Sequence, residues 1–90
     1  MVSEKIRIKN TTGLHLRPAG TFCQEALEYP CSVRFKFRNG EYNAKSVLSV
    51  LSACVKSMDE IELICEGERE EEALEHLAGL IRDGLGEQFT

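Results

Sequence analysis

No apolar run in this chain approaches the roughly 20 residues that a bilayer-spanning helix needs. The N-terminus also carries no apolar signal-peptide core, so membrane insertion is not expected and the chain reads as cytoplasmic. Close cysteine pairs are missing too. Cys23, Cys31, Cys54 and Cys65 never stand in C-x-x-C spacing, which disfavours a zinc site or a disulfide framework, since metal ligands usually come in close pairs. Each falls on an apolar position of a predicted element, so all four are expected to be buried, reduced thiols behaving as small hydrophobes. Cationic excess is absent as well: 11 Lys and Arg face 15 Asp and Glu, a net charge of −4, and nothing here would broadly neutralise a nucleic-acid backbone. No cofactor and no metal are expected.

What remains is an ordinary soluble composition, 42% hydrophobic and 29% charged over 90 residues. This fits one domain over 1–90 with a single modest core. Val2, Ile6 and Ile8 alternate with Ser3, Lys5 and Arg7 as a half-buried strand, ragged at its start because Glu4 breaks the pattern. Asn10-Thr11-Thr12-Gly13 reads as a turn, with Thr12 also placed to help cap a following helix. Ala19, Phe22, Cys23, Ala26 and Leu27 then recur with helical spacing, Pro18 fits the first turn, and Tyr29-Pro30 marks the stop.

Cys31, Val33, Phe35 and Phe37 alternate with Ser32, Arg34, Lys36 and Arg38. Asn39-Gly40 gives a type I′ hairpin signal, returning through Glu41 to Ala44 as a short strand. The row Arg34, Lys36 and Arg38 reads as a solvated sheet face in preference to an anion groove. Ser46 stands where an N-cap should, ahead of Val47, Leu48, Val50, Leu51, Cys54 and Val55. That apolar arc is wider than the roughly 100° a core-facing stripe needs, so an exposed apolar patch is expected; burial on two sides is the competing reading. Ile61, Leu63 and Cys65 alternate against Glu60, Glu62 and Glu66, with Ile64 as the exception and Gly67 as the break. The last helix presents Ala73, Leu74, Leu77, Ala78, Leu80 and Ile81 inward. Its acidic residues from Glu68 to Glu72 and Arg82 lie at the ends the dipole prefers, and Gly84 and Gly86 terminate it. His76 falls off the apolar face and is read as exposed, without a role. The acidic run reads as a solvated helix start, since its members would spread around the helix and not converge on a metal. The resulting order, β-α-β-β-α-β-α, is an α+β arrangement in which helices cover one side of a sheet.

The chemistry centres on Gly13-Leu14-His15-Leu16-Arg17-Pro18-Ala19. His15 falls at the N-terminus of the first helix, where free N–H groups and the positive end of the dipole make an anion site. That field disfavours a second positive charge, so a neutral, nucleophilic imidazole is expected. Arg17 adds a fixed planar donor suited to phosphate oxygens. From residue types alone, a helix cap or surface histidine competes with this phosphoryl-acceptor reading.

The same stretch resembles the active-site signature of the histidine-containing phosphocarrier (HPr) family of the bacterial phosphoenolpyruvate:sugar phosphotransferase system. Asn43-Ala44-Lys45-Ser46-Val47-Leu48 resembles that family's second signature, a regulatory serine opening a short helix. The resemblance implies an open-faced two-layer sandwich of four antiparallel strands and three helices. It implies that enzyme I passes phosphate from phosphoenolpyruvate to Nδ1 of His15, that Arg17 and helix N–H groups hold it, and that sugar-specific IIA components receive it. A carrier of this kind has no turnover of its own and is not an enzyme. The resemblance further implies regulation through Ser46 by a serine kinase/phosphorylase, a catabolite-control transcription regulator as a further partner, docking through Leu16, Gly20, Val47, Leu48 and Leu51, and a monomer.

Several residues depart from the family pattern. Leu16 replaces a usual alanine, Gly20 stands where a threonine or other small residue is common, Ser49 replaces a common glycine, and Ala53-Cys54 alters the end of the second helix. Gly20 costs about 1 kcal/mol of helix propensity relative to alanine. Two alternatives follow: a regulatory relative working through Ser46 and the apolar patch, whose known form lacks the active histidine that this chain retains, and a cysteine-based metal- or ligand-binding module.

Overall fold

Period-two alternation produces four strands and helical periodicity three helices in the computed structural model, which describes residues 1–11 and 13–85. In chain order they are β1 (Val2–Arg7), α1 (Leu16–Ala26), β2 (Ser32–Phe37), β3 (Gly40–Asn43), α2 (Val47–Ser52), β4 (Glu60–Glu66) and α3 (Glu70–Arg82). This is the order expected from the sequence. The strands form one antiparallel sheet ordered β1-β4-β2-β3, with Val2 opposite Cys65, Val33 opposite Cys65, and Phe35 opposite both Leu63 and Tyr42.

One face of the sheet carries Ile6, Val33, Phe35, Ile61, Leu63 and Cys65. All join a single buried cluster with Phe22 and Ala26 of α1, Val50 of α2, and Leu77 and Ile81 of α3. Phe22 meets Phe35 with ring centroids 6.3 Å apart and planes tilted by 53°. Burying each such ring contributes about 1.5–3 kcal/mol. The other face is a charge-balanced surface: Glu62 of β4 lies between Lys5 of β1 and Lys36 of β2, and Glu60 lies opposite Arg7. The basic row on β2 is therefore neutralised by the glutamate row beside it, as a solvated face would be.

Several sequence expectations are corrected. Glu4 does not disorder the start of β1; its carboxylate pairs with Arg82 at the end of α3, which lets a charged residue occupy the inner row at the rim. Leu27 is exposed, because α1 ends at Ala26 and Tyr29 takes the next inward position. The β2–β3 turn is one residue earlier than expected: Phe37 pairs with Gly40, and Arg38 takes the left-handed conformation at φ +57°. Its guanidinium lies 5.1 Å from the Phe37 ring centroid, so Arg38 leaves the basic row. Ile64 is buried although it points to the open face, opposite Arg34, whose side chain is drawn across the sheet by Glu41 and Glu66.

His76 is exposed, but it has a role: Nδ1 lies 2.5 Å from the Tyr29 hydroxyl and Nε2 lies 3.0 Å from Glu25, tying α3 to the end of α1. The acidic start of α3 is used structurally, Glu70 accepting from the Gly67 N–H at 3.0 Å. Gly84 closes α3 at φ +86°, and the Leu85 N–H donates back to Leu80 at 3.0 Å. The cap expected at Thr12 and the terminator expected at Gly86 lie outside the described residues. No helix among the described residues is long and apolar enough to cross a membrane.

Candidate functional site

The loop that leads to His15 is fastened to the α2–β4 connection before it enters α1. Ile8 N–H donates to Asp59 at 2.8 Å and Met58 N–H to Ile8 at 2.6 Å. Gly13 closes a turn onto the Asn10 carbonyl at 3.2 Å, and Leu14 N–H donates to the Val55 carbonyl at 2.9 Å. Gly13 has φ +67°, a conformation that L side chains rarely adopt. Leu14 is buried and anchors the loop from inside.

His15 follows as the N-cap of α1, with extended backbone (φ −79°, ψ −176°) and a carbonyl that accepts from Ala19 N–H at 2.8 Å. Its side chain makes no cap hydrogen bond and is exposed. The N–H groups of Leu16 and Arg17 lie in the first turn, where no intrahelical carbonyl can reach them, and Pro18 has none to satisfy. Among the described residues no carboxylate pairs with Arg17, which is also exposed. An imidazole, two backbone donors and a guanidinium, none of them partnered among the described residues, therefore share one helix end. That arrangement can accept and hold an anion.

Beside it lies a cleft of about 240 Å³ lined by Leu14, His15, Leu51, Cys54, Val55 and Lys56. The structure thus brings His15 and Leu51 together, although they come from different helices. Leu16 is 69% exposed and Leu48 80% exposed, whereas Val47 and Leu51 are half-buried against the core. Gly20 lies one turn along α1, half-buried, with nothing within 4 Å of where a Cβ would project. Ser46 caps α2 as expected: its Oγ accepts from Ser49 N–H at 3.2 Å. Ser49 in turn accepts from Asn43 N–H at 2.9 Å through its own hydroxyl, a bond a glycine could not supply. Ser46 stands at the far end of α2 from the cleft and does not line it.

Sequence reasoning missed Asn10, Cys54 and Lys56. Cys54 was expected to be buried; it is exposed because it ends α2 in the left-handed conformation, φ +57°, with its N–H donating to Leu51 at 3.2 Å. That position is usually a glycine, and the rule that marks helix ends by glycine overlooks a cysteine there. Lys56 belongs to an aperiodic connection and gave no signal. Cys23, Cys31 and Cys65 are buried and free, as expected. Burial pushes the thiols of Cys23 and Cys65 up, Cys65 to about 11 with a further contribution from the neighbouring Cys31. Among the described residues no group of three or more His, Cys, Asp and Glu side chains is arranged to hold a metal ion.

Residues 2–83 match the family model described as the PTS HPr component phosphorylation site. The HPr-like protein Crh of Bacillus subtilis is 39% identical over 83 residues, covering 92% of this chain and 98% of that protein. The phosphocarrier protein HPr of Pseudomonas aeruginosa is 38% identical over 89 residues, covering 97% and 98%. Among solved structures, HPr-C-His from Thermoanaerobacter tengcongensis superposes with a TM-score of 0.94 at 38% identity, covering 99% of this chain and all of that one. A second structure, the HPr dimer from the same organism, gives a TM-score of 0.77 at 39% identity, covering 97% of this chain and 100% of that one.

Proposed function

The chain belongs to the HPr family of phosphocarrier proteins, and from that membership we propose that His15 accepts a phosphoryl group from phosphorylated enzyme I and donates it to sugar-specific IIA components. The observation that carries this reading is the exposed imidazole at the head of α1, beside Leu16 and Arg17 N–H groups and an Arg17 guanidinium that have no partner among the described residues. The Nδ1 lone pair attacks phosphorus as the bond to the donor breaks. The phosphoryl oxygens come to rest against the helix N–H groups and Arg17, so their charge is neutralised without rearrangement. Transfer onward reverses these steps, and the chain leaves each cycle unchanged, as a substrate of transferases and not an enzyme.

Leu16 and Leu48, exposed on the first turns of α1 and α2, with Val47, Leu51 and Gly20 around them, form the docking surface in this reading. Phosphorylation of Ser46 by a serine kinase adds charge at the head of α2 beside Val47 and Leu48. It acts on docking, since phosphate is tolerated at a helix N-terminus. A mainly regulatory role, with a catabolite-control transcription regulator as partner, draws on the similarity to Crh; the retained His15 favours the carrier. The working form in this reading is a cytoplasmic monomer, its β1 paired with its own β4 over all six residues. Light scattering tests that point against the dimer recorded for the Thermoanaerobacter relative.

The relay is tested by following label from phosphoenolpyruvate through enzyme I and this chain to a IIA component. The expected result is onward transfer that His15→Ala abolishes and Arg17→Gln slows. A chain that binds partners but never passes label would overturn the carrier and favour regulation.

A further inference from the structure

The Gly13–Leu14 peptide unit is gripped at both ends. Its carbonyl accepts from Asn10 Nδ2 at 2.5 Å, and its N–H donates to the Val55 carbonyl at 2.9 Å. It is the last backbone unit held in this way before His15, whose side chain has no cap bond of its own. Asn10 is fully buried, yet its Oδ1 has no hydrogen-bond partner among the described residues. Burying an amide with an orphaned acceptor is unfavourable. Closing the turn does not require it, because the backbone bond from Gly13 N–H to the Asn10 carbonyl already does so. The amide is accounted for by what its donor holds.

We infer that Asn10 is a positioning residue for phosphoryl transfer: by holding the Gly13 carbonyl opposite Val55, it fixes the direction in which His15 leaves the loop. Gly13 has no side chain to restrain its own peptide planes, so without the grip the Gly13–Leu14 unit, still held by its N–H at Val55, can tilt about that one bond. In-line transfer tolerates little misalignment; a displacement of about 1 Å costs on the order of a hundredfold in rate. Leu14 stays buried and the Val55 bond remains, so loss of the grip misaims His15 without unfolding the loop.

This inference rests on the carrier reading, and the test separates the two. Asn10→Leu removes donor and orphaned acceptor at nearly constant volume. Phosphorylation of His15 is followed from two donors: phospho-enzyme I, and phosphoramidate, a small donor with no docking surface. The variant is expected to lower the maximal rate about tenfold or more with both donors. The KM for enzyme I should stay within about twofold, because Leu16, Leu48 and Leu51 are untouched. A folded variant with parental rates, or a loss confined to KM, overturns the proposal.

Should Asn10→Leu fail to fold, Asn10→Asp decides. Its protonated carboxyl can donate to the Gly13 carbonyl and its carboxylate cannot, so its rate relative to the parent rises as pH falls; a flat ratio overturns the proposal. A parent chain that reacts with phosphoramidate but not with enzyme I overturns the relay and leaves the Asn10 comparison intact. A parent that reacts with neither overturns both.

Discussion

A Cβ placed on Gly13 would lie 2.6 Å from the carbonyl oxygen of Val55 and 2.7 Å from Cα of Lys56. The backbone of the His15 loop therefore packs directly on the α2–β4 connection, at a φ of +67°. Gly13→Ala meets both penalties, the left-handed conformation at about 1–2 kcal/mol and a backbone clash in addition. A loss of about 2–4 kcal/mol is expected, seen in urea unfolding as a lower midpoint. An unchanged midpoint would mean that the loop can part from Val55 at no cost.

Ser46 has a structural task whatever else is done to it. Ser46→Ala removes the acceptor for Ser49 N–H and is expected to cost about 1 kcal/mol. Ser46→Asp keeps a capping oxygen at a helix N-terminus and should stay within about 0.5 kcal/mol of the parent. Chemical denaturation of the two variants side by side checks this; equal losses would show that the cap bond contributes little.

How far this could be read in advance differs from residue to residue. Pro18 and the spacing of Ala19, Phe22, Cys23 and Ala26 placed His15 at a helix start because helix periodicity is local. The element order followed for the same reason, and strand type followed from the cleanness of alternation in β2. The order β1-β4-β2-β3 did not follow, since which edges meet depends on packing of the whole core. Asn10 was invisible as more than a turn residue, because an amide that folds back onto its own turn leaves no periodic trace. Arg38 and Cys54 adopt a conformation usually reserved for glycine or asparagine, so turn and cap rules misplaced one and buried the other. Ile64 was visible as an anomaly, but its cover, the Arg34 side chain held by Glu41 and Glu66, comes from two other strands and the far end of its own.

Acid should act first on the start of α3. The Gly67 N–H, and then the N-terminal ammonium, hold the Glu70 carboxyl below its ordinary value; Arg69 does the same for Glu72. A carboxyl depressed in the folded chain contributes stability that is complete above the ordinary glutamate value of 4.5 and is lost as pH falls through the lower folded-state value. Thermal midpoints should therefore decline below about pH 4.5, with a shallower decline in Glu70→Gln. An identical slope in parent and variant would remove Glu70 from the explanation.

The four thiols should separate by location. Cys54 is exposed and should be alkylated first, while Cys23, Cys31 and Cys65 react only as the fold opens. Cys65 is raised from 9.0 to about 11 by burial and by Cys31. Its contribution to stability is complete below pH 9 and lost as pH rises through about 11. Mass mapping after brief alkylation checks the order, and rapid labelling of Cys65 in the folded chain would contradict the burial seen here.

Intact-mass measurement after incubation with enzyme I and phosphoenolpyruvate, with His15→Ala in parallel, bears most directly on the claim that His15 carries phosphate. The geometry at the head of α1 predicts an acid-labile gain of one phosphoryl group in the parent and none in the variant. A gain that survives in His15→Ala, or no gain in the parent with a cognate enzyme I, would contradict it.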